Sequence, residues 1–266
     1  MTQHAGPLAL ITGASSGIGF ELARQFAEHG HDLLICSNDG PQLREAHQRL
    51  EKEFPDVSMT ATEVDLRERA ELERLWQQYL DMNRPLDVLV ANAGVGVAGG
   101  FLETDIDEEL ASIQLNVTSQ VHLTKLAMRK MSEQGHGGLL LTSSLIALSP
   151  GPFMAIYAAT KAFLHSFGLA IRNELQDTAL TVTVLMPGAT ETDFWRRADM
   201  EDTNVGQSSK AAPEDVAKEA FEAFQKEQPY IVPGYANKVR AGLTAVTPDT
   251  ALAQANRKQA QEADDS

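Results

Sequence analysis

The chain is short of positive charge, of cysteine and of long apolar runs, and each shortage removes a class of function. Its 22 lysines and arginines stand against 37 aspartates and glutamates, a formal charge of −15, so nucleic acid and anionic membrane surfaces are repelled at long range. The single cysteine, Cys36, cannot form an internal disulfide. Its place in an apolar run marks it as a small core residue, in keeping with a reducing cytoplasm. No stretch approaches the roughly 18 uninterrupted apolar residues of a membrane-spanning helix. The opening MTQHAGPLALITGASSG lacks the basic start and long apolar segment of a secretory signal. Neither secretion nor a membrane partner is expected. Internal repeats and low-complexity linkers are also missing, so nothing divides the 266 residues, a length that one α/β domain holds.

The remaining composition, 43% hydrophobic and 22% charged, is that of an ordinary globular protein. Runs rich in β-formers at residues 8–12, 32–36, 57–64, 87–92, 138–144, 180–187 and 230–233 alternate with amphipathic runs. The latter begin near Gly17, Pro41, Arg67, Asp107, Ile156 and Pro213. Such alternation, with several strands almost continuously apolar, predicts an α/β chain whose parallel sheet is covered by helices on both faces. Thr104 with Asp107 reads as an N-cap and acidic first turn, Gly135 as a C-terminal stop, and Pro213 as a first helical position. Residues 190–212 are polar and weakly periodic, a loop length found in functional lids or disordered segments. Residues 1–235, with that lid, are expected to form one domain. Residues 236–266 would be a C-terminal extension, either a peripheral helix that frays or a mobile tail.

Three motifs carry chemistry. TGASSGIG, residues 12–19, joins an apolar strand to a helical run. Glycines there let the backbone turn tightly and approach a pyrophosphate, whose charge sits on the amides of a helix N-terminus. The bland alternative is a tight structural turn. YAATK, residues 157–161, places Tyr157 and Lys161 four apart on one helix face, where an ammonium would favour the phenolate of a phenol whose ordinary pKa is about 10. A chance pair with the lysine in water has the same spacing. LLLTSSLIA, residues 139–147, ends a buried strand in Ser143 and Ser144, at the edge where ligands of open parallel sheets bind, or else merely caps the strand.

Taken in order, Thr12-Gly13-x-x-x-Gly17-x-Gly19, Asn92-Ala93-Gly94, Asn116, Ser144, Tyr157-x-x-x-Lys161 and Pro187-Gly188 with Thr192 resemble the short-chain dehydrogenase/reductase family from residue 8 to about 233. The resemblance implies a doubly wound Rossmann fold with a seven-stranded parallel sheet. It also implies Tyr157 as catalytic acid/base, Lys161 as ribose holder and phenol activator, Ser144 rather than Ser143 as the group that polarises the reacting oxygen, and Asn116 as keeper of a relay water. For the cofactor it implies Gly13, Ser15, Ser16, Gly17, Ile18 and Gly19 at the pyrophosphate and neighbouring ribose. Asp65 and Leu66 would flank the adenine, Asn92, Ala93 and Gly94 would follow, and Pro187, Gly188, Thr190 and Thr192 would surround the carboxamide. Ala91 departs from the family's usual asparagine at a mainly structural position.

The expected activity is reversible hydride transfer between NAD(P)(H) and a carbonyl or secondary alcohol. A catalytically silent dinucleotide-binding regulator is the alternative, and an epimerase or dehydratase would call for a larger substrate domain. Phe194, Trp195 and Met200 in the lid, with Ile146, Leu148 and Phe153, suit an apolar or amphipathic substrate, or pack the lid on its own domain. The family resemblance implies a homodimer or homotetramer, and Ala159 and Ala162 suit close helix packing.

Cofactor choice falls on Ser37, Asn38 and Asp39. Ser37 stands where NAD-preferring relatives carry an acid, and Asn38 where NADP-preferring relatives carry an arginine. Asp39 turned inward would bind the ribose hydroxyls and repel a 2′-phosphate; turned outward, it would leave a neutral pocket. With no nearby cation, electrostatics favours NAD slightly.

Overall fold

The structure, a computed structural model, describes residues 6–261. Residues 1–5, part of the opening read above, and 262–266, the end of the extension, lie outside the described residues. Seven strands, β1 (Leu8–Thr12), β2 (Asp32–Ser37), β3 (Met59–Glu63), β4 (Val88–Ala91), β5 (Gly137–Thr142), β6 (Leu180–Leu185) and β7 (Tyr230–Ile231), form one sheet in the order β3-β2-β1-β4-β5-β6-β7. Every pairing is parallel. The order reverses between β1 and β4, and the crevice outside the strand ends at such a reversal is where open α/β sheets bind ligands.

Alternation along the strands divides the core into two. Ala9 and Ile11 of β1, Leu33 and Ile35 of β2, and Val88 and Val90 of β4 face one side. There they meet α1 (Gly17–Glu28), α2 (Gly40–Glu53) and α9 (Pro213–Gln225). Leu8, Leu10, Leu34, Leu89, Leu139 and Leu141 face the other side. They pack on α3 (Arg69–Asp81), α5 (Gln120–Gln134) and α6 (Ala155–Glu174). A strand buried on both faces has no polar side to show, which is why these runs read as continuously apolar.

The helix that precedes β5 begins as α4 (Ile106–Ile113), passes through a π-helical turn, Gln114–Ser119, and continues as α5. Its N-cap is Asp105 and not Thr104: the Asp105 carboxylate accepts from the amides of Asp107 and Glu108, while Thr104 Oγ1 donates to Glu109. A carboxylate cap also meets the positive end of the helix dipole, which a hydroxyl does not. Gly135 ends α5 at φ 79° and Pro213 opens α9, as expected.

The lid is not structureless. It contains α7 (Phe194–Arg197) and α8 (Asn204–Gln207), and its two ends are tied by a bridge between Thr190 and Ala211. The extension takes the helical one of its two expected forms. It folds as α10 (Tyr235–Thr244) and α11 (Asp249–Ala260), and α11 returns to the body of the protein. The Asn204 amide and side chain donate to Gln261 O and Lys258 O, and buried Asn256 donates to Ser149 Oγ and Pro150 O. Long-range hydrogen bonds of this kind leave no trace in local periodicity. No helix among the described residues is long and apolar enough to cross a membrane.

Candidate active site

A cavity of about 300 Å³ opens over the C-terminal ends of the strands. Its floor begins at the glycine turn after β1, where Gly13 and Gly17 have φ of 66° and 55°, a region costly to residues with a Cβ. A Cβ at Gly13 would lie 2.9 Å from Ala93 Cα, and one at Gly17 would lie 2.8 Å from Thr192 Cγ2. Ser16, the N-cap of α1, makes no side-chain capping bond. The first amides of the helix therefore remain as donors for an anion. Beside the turn, Thr12 Oγ1 accepts from the amides of Asn92 and Ala93, and Asn92 Nδ2 donates to Thr12 O and Gly13 O. These bonds lock the β1 and β4 turns together, a pinning role for Thr12 and Asn92 that spacing alone does not reveal.

Ser144, Tyr157 and Lys161 meet in this cavity. Ser144 leads from β5 into a single 3-10 turn, Leu145–Leu148, where its hydroxyl accepts from Ile146 N and donates to Pro187 O at 3.5 Å, on the same side of the cavity as the Tyr157 phenol. Ser143 points the other way and donates to Lys161 O at 2.6 Å within the core. Period-two alternation at the strand end thus separates a site serine from a structural one. Burial pushes the Tyr157 phenol up to about 12, with the polar Ser144 side chain opposing it. Lys161, one turn along α6, is 3% exposed, donates to Thr142 O at 3.0 Å, and is lowered by burial to about 8. Its Nζ lies 5.7 Å from the centre of the Tyr157 ring.

Asn116 does not line the cavity. It is fully buried in the π-helical turn, where its Oδ1 accepts from Val95 N and its Nδ2 donates to Val95 O, Ser112 Oγ and Thr160 Oγ1. The extra residue of such a turn redirects a side chain, and such turns recur at functional sites. Here Asn116 ties the 94–96 loop to α6. Gly94 runs so close that a Cβ there would stand 3.1 Å from Asn116 Oδ1 and 3.2 Å from Lys161 Nζ.

Gly13, Ser15, Ser16, Gly17, Ile18 and Gly19 line the cavity, as do Ser37, Asn38, Asp65, Leu66, Asn92, Ala93, Gly94, Pro187, Gly188, Thr190 and Thr192. Asp39 does not. Its carboxylate caps α2, accepting from Gln42 N at 3.0 Å, so it points away from the pocket formed by Ser15, Ser16, Ser37 and Asn38. A helix that starts after only two intervening residues needs a cap, and that need claims the side chain. In this position the carboxylate does not face a ribose 2′-substituent from within the pocket. Ser15 and Ser37 are joined by a hydrogen bond of 3.0 Å.

At the substrate end, Phe194, Trp195, Met200, Ile146 and Met154 form an apolar wall. Leu148 instead packs in a small core with Leu145 and Met186, and Phe153 lies under Arg257. Further side-chain bonds hold the lid. Trp195 Nε1 donates to Thr190 O, and Gln42 Nε2 donates to Asp193 while its Oε1 accepts from Arg197. Sequence reasoning missed the remaining wall entirely: Arg240, Thr244, Asn256, Gln259 and Ala260, all from the C-terminal extension.

Residues 7–203 match the family model described as short chain dehydrogenase. The chain is 35% identical over 189 residues to the uncharacterized oxidoreductase DltE of Bacillus subtilis, covering 69% of this chain and 71% of the relative. Among solved structures it superposes on a short-chain dehydrogenase from Sphingobium yanoikuyae in complex with NADPH, with TM-score 0.80 and 28% identity over 97% of this chain and 99% of that one. It likewise matches a 3-ketoacyl-(acyl-carrier-protein) reductase from Brucella melitensis complexed with NADH, with TM-score 0.74 and 25% identity over 85% and 96%. A family model that spans most of the chain, and relatives of the same fold holding either dinucleotide, make this protein a member of the short-chain dehydrogenase/reductase family, an NAD(P)-dependent oxidoreductase.

Proposed function

We propose that the protein interconverts a carbonyl and a secondary alcohol, with Tyr157 moving the proton at its phenolic oxygen. The observation that carries this reading is the convergence of Ser144, Tyr157 and the almost wholly buried Lys161 on one cavity. The glycine turn with uncapped amides at α1 fits a pyrophosphate, and Asp65, Leu66, Pro187, Gly188, Thr190 and Thr192 fit the two ends of a dinucleotide. Bound nicotinamide supplies or accepts the hydride.

The chain's own residues do the rest. Ser144 orients the reacting oxygen toward the phenol. With a pKa near 12, Tyr157 is protonated at neutral pH and therefore ready to donate to a carbonyl, the reducing direction. Lys161, with a pKa near 8, still carries its charge there and favours the phenolate left behind. Asn116 positions the 94–96 loop beside both. Ser15, Ser16, Ser37 and Asn38 offer hydroxyls and an amide without charge, so NAD(H) and NADP(H) are accepted with little discrimination. The apolar wall of Met154, Phe194 and Met200 suits an apolar or amphipathic substrate.

Tyr157→Phe tests the reading. Turnover of carbonyl substrates is expected to fall about 10²- to 10⁴-fold with dinucleotide binding retained; undiminished turnover overturns it. On the outer face of α6, Phe163 is 41% exposed and stacks on Phe167, beside exposed Ala159. This face supports a homodimer or homotetramer, which light scattering at micromolar concentration reads directly.

A further inference from the structure

We propose that Arg240, oriented by Asn256, makes the outer end of the substrate cavity a carboxylate site. The protein would then act on amphipathic oxo-acids or hydroxy-acids whose carboxylate stands apart from the reacting carbon. The proposal rests on the hydride-transfer reading and names the substrate class for it.

Helix α10 has no fully buried residue and Arg240 is exposed, but two side chains of the helix fix its inner face. Asn237 packs on the Pro187–Gly188 turn so tightly that a Cβ at Gly188 would lie 2.5 Å from Asn237 Oδ1, and Ala241 packs against the core of Leu145, Met186 and Val232. Arg240 and Thr244 follow Asn237 on the same helical face, at three- and seven-residue spacing, and both line the cavity. One helical turn, about 5 Å of rise, thus separates Arg240 from a residue that touches the expected carboxamide turn.

The guanidinium is aimed by a buried amide. Asn256 is 8% exposed; its Oδ1 accepts from Arg240 Nη2 at 3.0 Å while its Nδ2 donates to Ser149 Oγ and Pro150 O, both at 2.8 Å. An amide fixed at one end by two acceptors presents its oxygen in one direction, and so holds the arginine fork at the cavity wall.

Charge matching singles this residue out. The carboxylates lining the cavity have cations of their own: Asp65 pairs with Arg67, and Asp193 with Arg196 and Arg197. Lys161 belongs to the catalytic group. Arg240 has no carboxylate at ion-pair distance among the described residues, in a chain with 37 acidic side chains against 22 basic. A planar fork with free donors beside an apolar wall matches a carboxylate at the end of an apolar chain.

The test uses purified full-length enzyme with its preferred reduced dinucleotide. Levulinate, oxoheptanoate and oxodecanoate, each with the ketone next to the terminal methyl, are compared with their methyl esters. One acid length is expected to exceed its ester in kcat/KM by about tenfold or more. Arg240→Gln is expected to erase that preference, and Arg240→Lys to keep part of it, which a misfolded variant would not do. The proposal is overturned if no acid is reduced faster than its ester, or if Arg240→Gln retains the preference. Ester reduction by the native enzyme and its loss in Tyr157→Phe tests the hydride-transfer reading separately, so failure of one is distinguishable from failure of the other.

Discussion

Replacing Lys161 with methionine is expected to stabilise the ligand-free protein at neutral pH while abolishing turnover, and the stabilisation is expected to reverse as the pH rises. Burial alone lowers the lysine from 10.5 to about 8. At about 1.4 kcal/mol per pH unit, that lowering corresponds to roughly 3 kcal/mol against the folded state. An unfolded lysine keeps its proton until about pH 10.5, the native one only until about 8. Between those values the unfolded chain binds more protons, so native stability climbs with pH; below them the whole cost is present, and above them it is gone. Methionine fills nearly the same space without a charge, but forfeits the Nζ hydrogen bond to Thr142 O, which contributes about 1 kcal/mol at every pH. The variant should therefore be about 2 kcal/mol more stable than the native protein near pH 7 and about 1 kcal/mol less stable near pH 10.5. Tyr157, common to both proteins, cancels in the difference. Urea unfolding followed by circular dichroism across that range measures it. A difference that is flat with pH, or a native protein more stable than the variant at pH 7, refutes the reasoning. The expected result would mean that a charge costly to the fold is kept for its effect on the neighbouring phenol.

Fluorescence titration of the native protein is expected to give NADH and NADPH affinities within about tenfold of each other, and Asn38→Arg should strengthen NADPH by tenfold or more. A native preference above a hundredfold contradicts the neutral turn. Asp39→Ala should remove about 1 kcal/mol of stability through the lost α2 cap and leave the ratio of the two affinities unchanged; a changed ratio would place the carboxylate in the pocket. Ser144→Ala is expected to lower kcat with little effect on stability, whereas Ser143→Ala, deprived of its bond to Lys161 O, should lower stability by about 1 to 3 kcal/mol; the reverse assignment would show the strand end is misread. Asn256→Ala breaks the bonds to Ser149, Pro150 and Arg240 and should expose α11 to limited proteolysis while the rest of the chain resists, an effect missing if the helix is held by other contacts.

What the sequence determined by itself is the order of elements and the shared helix face of Tyr157 and Lys161. Strands β1, β2 and β4 are apolar on both faces because helices cover both sides of the sheet, and Tyr157 and Lys161 share a face because a helix repeats every 3.6 residues. These are local consequences of periodicity, so a linear reading recovers them. Strand parity likewise distinguishes Ser143 from Ser144 once the strand end is known. The tertiary structure alone decided where competing demands on one side chain came out. Asp39 had a ribose and a helix N-terminus within reach, and the cap won because only two residues separate the strand from α2. The Asn116 side chain holds the 94–96 loop, a contact that the π-helical turn creates and that residue spacing does not reveal. The placement of α11 against Ser149, 107 residues earlier in the chain, brought Arg240 and Asn256 to the cavity. No spacing rule reaches that far, because contacts between distant segments depend on which surfaces remain uncovered after the local elements have formed.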